Sequence, residues 1–226
     1  MLDYIVSPKE IEEKSFSIIR NKIKRNDLSQ EELEILYRVV HTTADWGFEK
    51  LFQISNDFLE KWYKLILTPR AYNKKLLVYV DTKMIKAGVS KFKSDLAGIK
   101  LFCPNEYKTV VNLAQRQNLT RAIVGIDWTV EKRKNTKIFV IGNSPTALFR
   151  LCEHVKKDEQ LSNILVIGVP VGFVGAKESK EILKSLGIPY IVIDGEKGGS
   201  TIAVAIMNAL LNLTVKKLGF DYEFTR

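Results

Sequence analysis

The chain has 226 residues and a mass of 25.8 kDa, which suits one large domain or two small ones. Apolar residues make up 46% and charged residues 27%, which excludes a disordered chain and fits a globular protein that buries its own core. Thirty-five basic residues against 26 acidic ones give a net charge of +9. That charge suits nucleic acid, a membrane surface or a polycarboxylate ligand without choosing among them.

Three further features limit the class of protein. Cys103 and Cys152 lack the CxxC spacing, so we expect two free thiols in a reducing compartment rather than a zinc site. Residues 1–10 carry no basic segment followed by a long apolar stretch, so we expect no signal peptide and a cytoplasmic protein. The uncharged run 198–215 contains serine, threonine and asparagine, and we expect it to form a core helix rather than cross a membrane.

The N-terminal part of the chain is predicted to be mainly helical. Ser7-Pro8 is typical of an N-cap and a first helical position. Ser29 and Glu32 have the spacing of a capping box, and the helix they begin is expected to end near 41–43. Another helix is expected over 57–67, where apolar residues recur at helical spacing.

From residue 74 onward the pattern changes to short apolar runs rich in β-branched residues, which predict buried strands. The predicted strands span 76–80, 99–103, 138–141, 164–167 and 190–193. The last three strands are followed by predicted helices over 145–155, 177–186 and 200–213. This alternation predicts an α/β fold with a mainly parallel sheet flanked by helices. We expect a single domain over 1–226, in which 1–70 is an N-terminal helical extension and 74–215 is the sheet-forming core.

Three glycine-containing loops follow predicted strands, and they span 142–146, 168–176 and 194–200. Ligands of parallel sheets bind beyond the carboxyl ends of strands, and glycine lets backbone N–H groups approach an anion there. Lys197 adds a cation to the third loop. None of the loops has a dinucleotide-binding or P-loop pattern. Each loop alone is compatible with an ordinary turn, but three on one edge favour a shared anionic ligand.

His41 is the strongest candidate for acid–base chemistry, because histidine titrates near neutral pH. Asp45 follows it by four residues and favours the cationic form if the helix continues that far, whereas Arg38 precedes it by three and disfavours that form, so the sequence does not give the sign of the pKa shift. The alternative is a helix-end histidine satisfied by the helix dipole. His154 lies in a polar stretch and is expected to be a solvated surface residue.

Other charged residues are given structural or surface roles. The acids Asp127, Asp194 and Glu178 are expected to cap helices or form ion pairs. The basic residues at 22–25 and 132–134 are expected to lie on solvated faces, since they lack the interleaved aromatics of a platform for single-stranded nucleic acid.

Taken together, several segments resemble one family, the precorrin-8X (cobalt-precorrin-8) methylmutases of cobalamin biosynthesis. The resemblance runs from about residue 5 to 213, and 166–180 (VIGVPVGFVGAKESK) with 195–200 (GEKGGS) is its most specific part. The other segments that carry it are 14–16, 41–45, 81–88, 120–122 and 141–148. One departure is Ser144, where the family pattern has alanine.

The resemblance implies a cofactor-independent isomerase with an α/β parallel sheet. Such an enzyme moves a methyl group from C-11 to C-12 of the tetrapyrrole by a 1,5-sigmatropic shift, giving hydrogenobyrinic acid or, with cobalt inserted, cobyrinic acid. It also implies a homodimer with its sites near the subunit interface, no metal ligands, and no nucleic-acid or membrane partner. Whether the substrate is metal-free or cobalt-bound stays open at this point.

By position in the matching motifs, the resemblance also implies roles for individual residues. His41 matches the catalytic histidine, which donates a proton or hydrogen bond to the ring. The residues implied to bind substrate carboxylates are Ser15, Thr82, Arg121, Lys177, Lys197 and Ser200. The residues implied to line the ring plane are Asn143, Thr146, Gly172 and Phe173.

The alternative function is an α/β protein that binds a nucleotide or nucleic acid with the same glycine-containing loops.

Overall fold

A six-stranded sheet forms the centre of the fold in the computed structural model, which describes residues 4–68 and 74–220. The strand order is β1-β6-β5-β4-β2-β3. Strand β1 pairs with β6 in the antiparallel direction, and all other pairs are parallel. The strands are β1 (Phe52–Ile54), β2 (Leu76–Val80), β3 (Ile99–Phe102), β4 (Ile138–Ile141), β5 (Leu165–Gly168) and β6 (Tyr190–Ile193). The mainly parallel sheet expected from the sequence is thereby confirmed.

Helices cover both faces of this sheet. The α-helices of the described residues are α1 (Pro8–Lys22), α2 (Gln30–Thr43), α3 (Phe48–Leu51), α4 (Phe58–Leu67), α5 (Lys83–Gly88), α6 (Lys91–Leu96), α7 (Lys108–Gln117), α8 (Arg121–Lys132), α9 (Pro145–Lys157), α10 (Ala176–Lys184) and α11 (Ser200–Lys217). Two 3-10 helices span Pro104–Glu106 and Glu159–Asn163. None of these helices is long and apolar enough to span a bilayer.

Alternate residues of the central strands point into two hydrophobic cores, because side chains of a strand project to opposite faces. Val140 and Ile167 belong to the larger core, together with α1, α2, α4 and α11. Phe139 and Val166 belong to the second core, with α8, α9 and α10. Burial on both faces explains why the strands are continuously apolar rather than alternating in the sequence.

Most predicted helices are found close to their predicted positions. Ser7 caps α1, and Ser29 and Glu32 form both hydrogen bonds of the capping box of α2. Helix α2 ends at Thr43, as predicted. Helix α11 is a buried core helix, as expected for the uncharged run, and extends four residues beyond the predicted end at 213.

Short elements and the middle of the chain differ from the sequence prediction. Strand β1 has only three residues, and the two six-residue helices α5 and α6 are too short to produce a periodic pattern. Helices α7 and α8 were also not predicted; α7 has only two buried residues, so its apolar stripe is weak. Strand β5 begins and ends one residue later than predicted, because Gly168 pairs with both neighbouring strands.

Candidate active site

The carboxyl ends of four neighbouring parallel strands form the edge of the sheet where the predicted site residues gather. Strands β6, β5 and β4 lead into the loops 194–200, 168–176 and 142–146, and β2 leads into Asp81 and Thr82. The expectation that the three loops share one edge is therefore confirmed. The acidic residue at the end of the fourth strand, Asp81, was not among the residues predicted to form the site.

Asp81 holds the 142–146 loop. Its buried carboxylate accepts hydrogen bonds from the backbone N–H groups of Gly142 at 3.0 Å and of Asn143 and Ser144 at 2.9 Å. Burial raises the pKa of Asp81, and these N–H donors act against that rise. The signal in the sequence was an acid directly after an apolar strand, and it becomes interpretable only when β4 is known to lie beside β2.

The loops 168–176 and 194–200 are joined through their backbones. The N–H of Gly172 donates to the carbonyl of Glu196 at 3.0 Å, and the N–H of Gly199 donates to the carbonyl of Val169 at 2.8 Å. Gly198 lies against the first loop so closely that an added Cβ would be 2.2 Å from the carbonyl oxygen of Val169. The two loops therefore form one unit, and only glycine fits at position 198.

Thr82 and Ser200 meet at this edge of the sheet. Their hydroxyl oxygens lie 2.9 Å apart and share a hydrogen bond. Thr82 also accepts a hydrogen bond from the N–H of Ile85, which caps α5, and Ser200 is the first residue of α11. The structure thus brings together two of the predicted carboxylate-binding residues that are 118 positions apart.

A cavity of about 430 Å³ opens beside Thr82. Thr82, Arg121 and Asn143 all line it, so three predicted site residues from different segments converge there. Arg121 is exposed and begins α8. Thr146 lies next to this cavity, with its hydroxyl 3.2 Å from that of Thr120 and 2.9 Å from that of Ser144, the residue that departs from the family pattern.

His41 lies in the last turn of α2 and is held by α1. Its Nδ1 is 2.8 Å from the Ser15 hydroxyl, and its ring stacks on Phe16 with ring centres 5.2 Å apart. Burial and the neighbouring Arg38 lower the pKa of His41, and Glu12 acts in the opposite direction. The lowered pKa favours neutral imidazole at pH 7, and a Ser15 hydroxyl that donates to Nδ1 leaves the ring proton on Nε2.

His41 lines a groove of about 1140 Å³ on the outer side of α11. Its other polar lining includes Arg38, Lys93 and Asn208, and its apolar lining includes Val204. Ser200, Val204 and Asn208 are spaced four residues apart, so they lie on the same face of α11. The Thr82–Ser200 pair and the groove at His41 therefore lie one after the other along the same face of α11.

Asp45 does not act on His41 in the way the sequence suggested. Helix α2 ends before it, because Ala44 adopts a left-handed conformation with φ 52°. The Asp45 carboxylate instead forms an ion pair with Lys197 and accepts the N–H of Gly47 at 2.7 Å. This ion pair connects the end of the histidine-bearing helix to the 194–200 loop, and it lowers the pKa of Asp45.

Two predicted site residues stay apart from this cluster. Phe173 is 96% exposed at the tip of the 168–176 loop, and Lys177 is exposed in the first turn of α10. Within residues 4–68 and 74–220, no hydrogen bond or ring contact joins either of them to His41. Gly172, which precedes Phe173, has φ 144° and so requires glycine.

The expectation for His154 was wrong, and the expectation for the basic residues at 22–25 and 132–134 fails only at Arg25. His154 is half-buried rather than solvated, because its Nε2 lies 2.6 Å from Asp127, which also pairs with Arg150 at 2.7 Å. Lys22, Lys24 and residues 132–134 are exposed, as predicted, whereas Arg25 is half-buried. The guanidinium of Arg25 pairs with Asp27 and donates to the carbonyl of Glu49. The ion-pair role expected for Asp127 is confirmed.

Asp194 also forms its expected ion pair, with Lys184 at 2.7 Å. Cys103 and Cys152 are buried free thiols, and burial raises their pKa values to about 11 and about 12. Across the described residues, no three histidine, cysteine, aspartate or glutamate side chains are grouped as metal ligands.

Comparison with known proteins gives consistent matches over most of the chain. Residues 10–213 match the precorrin-8X methylmutase family. The cobalt-precorrin-8 methylmutase of Leptospira interrogans is 38% identical over 216 residues, which cover 92% of this chain and 95% of that protein. That of Salmonella typhimurium is 39% identical and covers 93% and 97%. The crystal structure of precorrin-8x methyl mutase from Thermus thermophilus superposes with a TM-score of 0.81 at 31% identity, covering 92% and 97% of the two chains.

Proposed function

Since the chain belongs to the precorrin-8X methylmutase family, and is a methylmutase isomerase of cobalamin biosynthesis, we propose that His41 is its catalytic hydrogen-bond donor. The substrate is a tetrapyrrole, and the reaction moves a methyl group from C-11 to C-12 of its ring. The observation that carries the proposal is the position of His41 on the wall of a large groove. Its imidazole is oriented by Ser15 and Phe16, and its lowered pKa favours the neutral form.

The proposed reaction requires only a hydrogen bond from His41. In a 1,5-sigmatropic shift the bond from C-11 to the methyl carbon breaks as the bond from C-12 forms, and no proton or electron is gained or lost overall. A hydrogen bond from His41 Nε2 to the macrocycle draws electron density from the ring and lowers the barrier. A hydrogen-bond donor of this kind contributes about 10²- to 10³-fold to a rate.

The carboxylates of the substrate are proposed to bind at the sheet edge. Thr82 and Ser200 offer paired hydroxyls, and Arg121 offers a guanidinium that matches a carboxylate bidentately. Lys197 offers an ammonium once it leaves Asp45. The net charge of +9 favours a polyanionic substrate throughout its approach.

The remaining predicted residues have supporting roles in the proposal. Lys177 supplies a further cation, while Asn143, Thr146, Gly172 and Phe173 line the ring plane. Phe173 and the neighbouring Val174, 96% and 88% exposed, form an apolar loop tip that is compatible with both a ring surface and a second subunit.

We further propose that the natural substrate is cobalt-precorrin-8. The relatives at 38% and 39% identity are both named for the cobalt form, whereas the Thermus thermophilus structure at 31% is named for precorrin-8x. The test is a visible spectrum recorded during incubation with each form, because a methyl shift changes the conjugation of the ring. Faster conversion of cobalt-precorrin-8 supports the proposal, faster conversion of precorrin-8 contradicts the choice of metal form, and no conversion of either contradicts the function.

The enzyme is also proposed to act as a cytoplasmic homodimer. The exposed apolar tip of the 168–176 loop supports this proposal, because a second subunit would cover its apolar side chains. Light scattering is expected to give twice the chain mass of 25.8 kDa, and a monomer at micromolar concentration would contradict the proposed dimer.

A further inference from the structure

Lys180 is a buried lysine outside the groups that contact the proposed substrate. Lys180 is only 1% exposed, although lysine is among the residue types least often fully buried. Burial lowers the pKa of Lys180 to about 8, while Asp194 and Glu196 act to raise it. An ammonium in such a place is tolerated only where hydrogen bonds replace its lost water.

The carbonyl oxygens that accept hydrogen bonds from Lys180 all belong to one segment of the chain. Lys180 Nζ donates to the carbonyl oxygens of Ile193 at 2.7 Å, Gly195 at 2.7 Å and Lys197 at 2.8 Å. An ammonium has three N–H donors, so the full donor set is used on the end of β6 and the first half of the 194–200 loop. A single buried side chain therefore binds three carbonyl oxygens between Ile193 and Lys197.

The loop that Lys180 holds is the one that carries Lys197 and Ser200. It also bonds through Glu196 to Gly172 of the neighbouring loop. Lys180 itself stands on α10, which begins where that neighbouring loop ends. One buried ammonium thus connects the two longest loops at the carboxyl edge of the sheet.

We propose that Lys180 is a positioning residue, which fixes the 194–200 loop in the conformation that binds the carboxylates of the tetrapyrrole. This inference rests on the proposed function. Lys180 acts through Lys197 and Ser200 and touches no substrate atom. Since the loop contacts the carboxylates equally in the bound ground state and in the transition state, loosening it raises KM more than it lowers kcat.

The test is Lys180→Met, which keeps an unbranched side chain one atom shorter than lysine and removes its three N–H donors. The matched control is Lys184→Met, one turn further along α10, where the lysine pairs with Asp194 at 2.7 Å and is partly exposed. Lys180→Met is expected to raise KM by about tenfold or more with kcat within about twofold of wild type. Amide hydrogen exchange over 195–199 is expected to become faster in this variant, because the carbonyls of the loop lose their partner. Lys184→Met is expected to leave KM within about twofold.

The outcomes separate this inference from the proposed function. A folded Lys180→Met protein with wild-type KM and wild-type exchange over 195–199 overturns the inference, and so does a loss of kcat with KM and exchange unchanged. Should Lys180→Met not fold, Lys180→Gln retains two N–H donors and is judged by the same criteria, with a smaller rise in KM expected. Wild-type protein that converts neither tetrapyrrole contradicts the proposed function alone, since the exchange measurement still decides whether Lys180 holds the loop.

Discussion

The hydroxyl of Ser15 lies 2.8 Å from Nδ1 of His41, so a side chain of α1 fixes the imidazole at the end of α2. The contact joins two helices that pack together in the larger core. A histidine whose Nδ1 is occupied presents its other nitrogen, Nε2, for chemistry. The proposed role of His41 therefore depends on Ser15 for the tautomer and the orientation of the ring.

Removing that hydroxyl tests the dependence. Ser15→Ala is expected to lower kcat by about five- to tenfold, the worth of one hydrogen bond that sets an orientation. Ser17→Ala is the control, because Ser17 is exposed on the same helix. Equal kcat values in the Ser15→Ala and wild-type enzymes would show that the imidazole needs no orientation by this hydroxyl.

The pH dependence of kcat distinguishes the two protonation states of His41. Burial and Arg38 lower the pKa of His41 below its ordinary value of about 6.5, so the ring is neutral above that pH. We expect kcat to stay level from about pH 7 to pH 9, since a neutral Nε2–H donor does not titrate there. A tenfold fall in kcat for each pH unit above neutrality would mean that the imidazolium form is required.

Asp81 is expected to stabilise the fold through the 142–146 loop. Asp81→Asn replaces a carboxylate acceptor of three N–H groups by an amide with one oxygen, and should lower the free energy of unfolding by about 3 kcal/mol. Urea denaturation measures the change. Asp95→Asn, at an exposed acid, is the control and should change stability by at most about 0.5 kcal/mol. A similar small change for Asp81→Asn would refute the anchoring role.

Gly198→Ala tests the joining of the two long loops. The new Cβ would clash with the backbone carbonyl of Val169 at 2.2 Å, so the loops must separate. We expect a loss of stability of about 2 kcal/mol and a higher KM. Gly187→Ala is the control, since φ 67° there gives backbone strain of about 1 kcal/mol without a neighbouring atom to displace. If both variants have wild-type KM, the contact at Gly198 does not shape the substrate site.

Local patterns in the sequence were sufficient to predict much of the architecture. The capping box of Ser29 and Glu32 located the start of α2, and four of the apolar runs located the central parallel strands β2, β4, β5 and β6. These signals are strong because they depend on residues close together in the chain. Strand β1 was missed because its three residues gain their conformation from pairing with β6.

The loops that surround the candidate site were predictable from the sequence, but the contacts between them were not. The strand-end loops and His41 could be identified from composition and motif. The pairing of Asp45 with Lys197 spans 152 residues, and that of Thr82 with Ser200 spans 118. Such contacts depend on the strand order, which the sequence does not encode locally. The anchoring role of Asp81 and the buried position of Lys180 were missed for the same reason.

The most direct test of the role of His41 is a single-turnover experiment with His41→Ala in excess over cobalt-precorrin-8, followed by visible absorption. Our account predicts a rapid spectral change on binding, as in the wild type, followed by methyl migration at least about 100-fold slower. Migration at the wild-type rate in this variant would contradict the assignment of His41 as the catalytic donor.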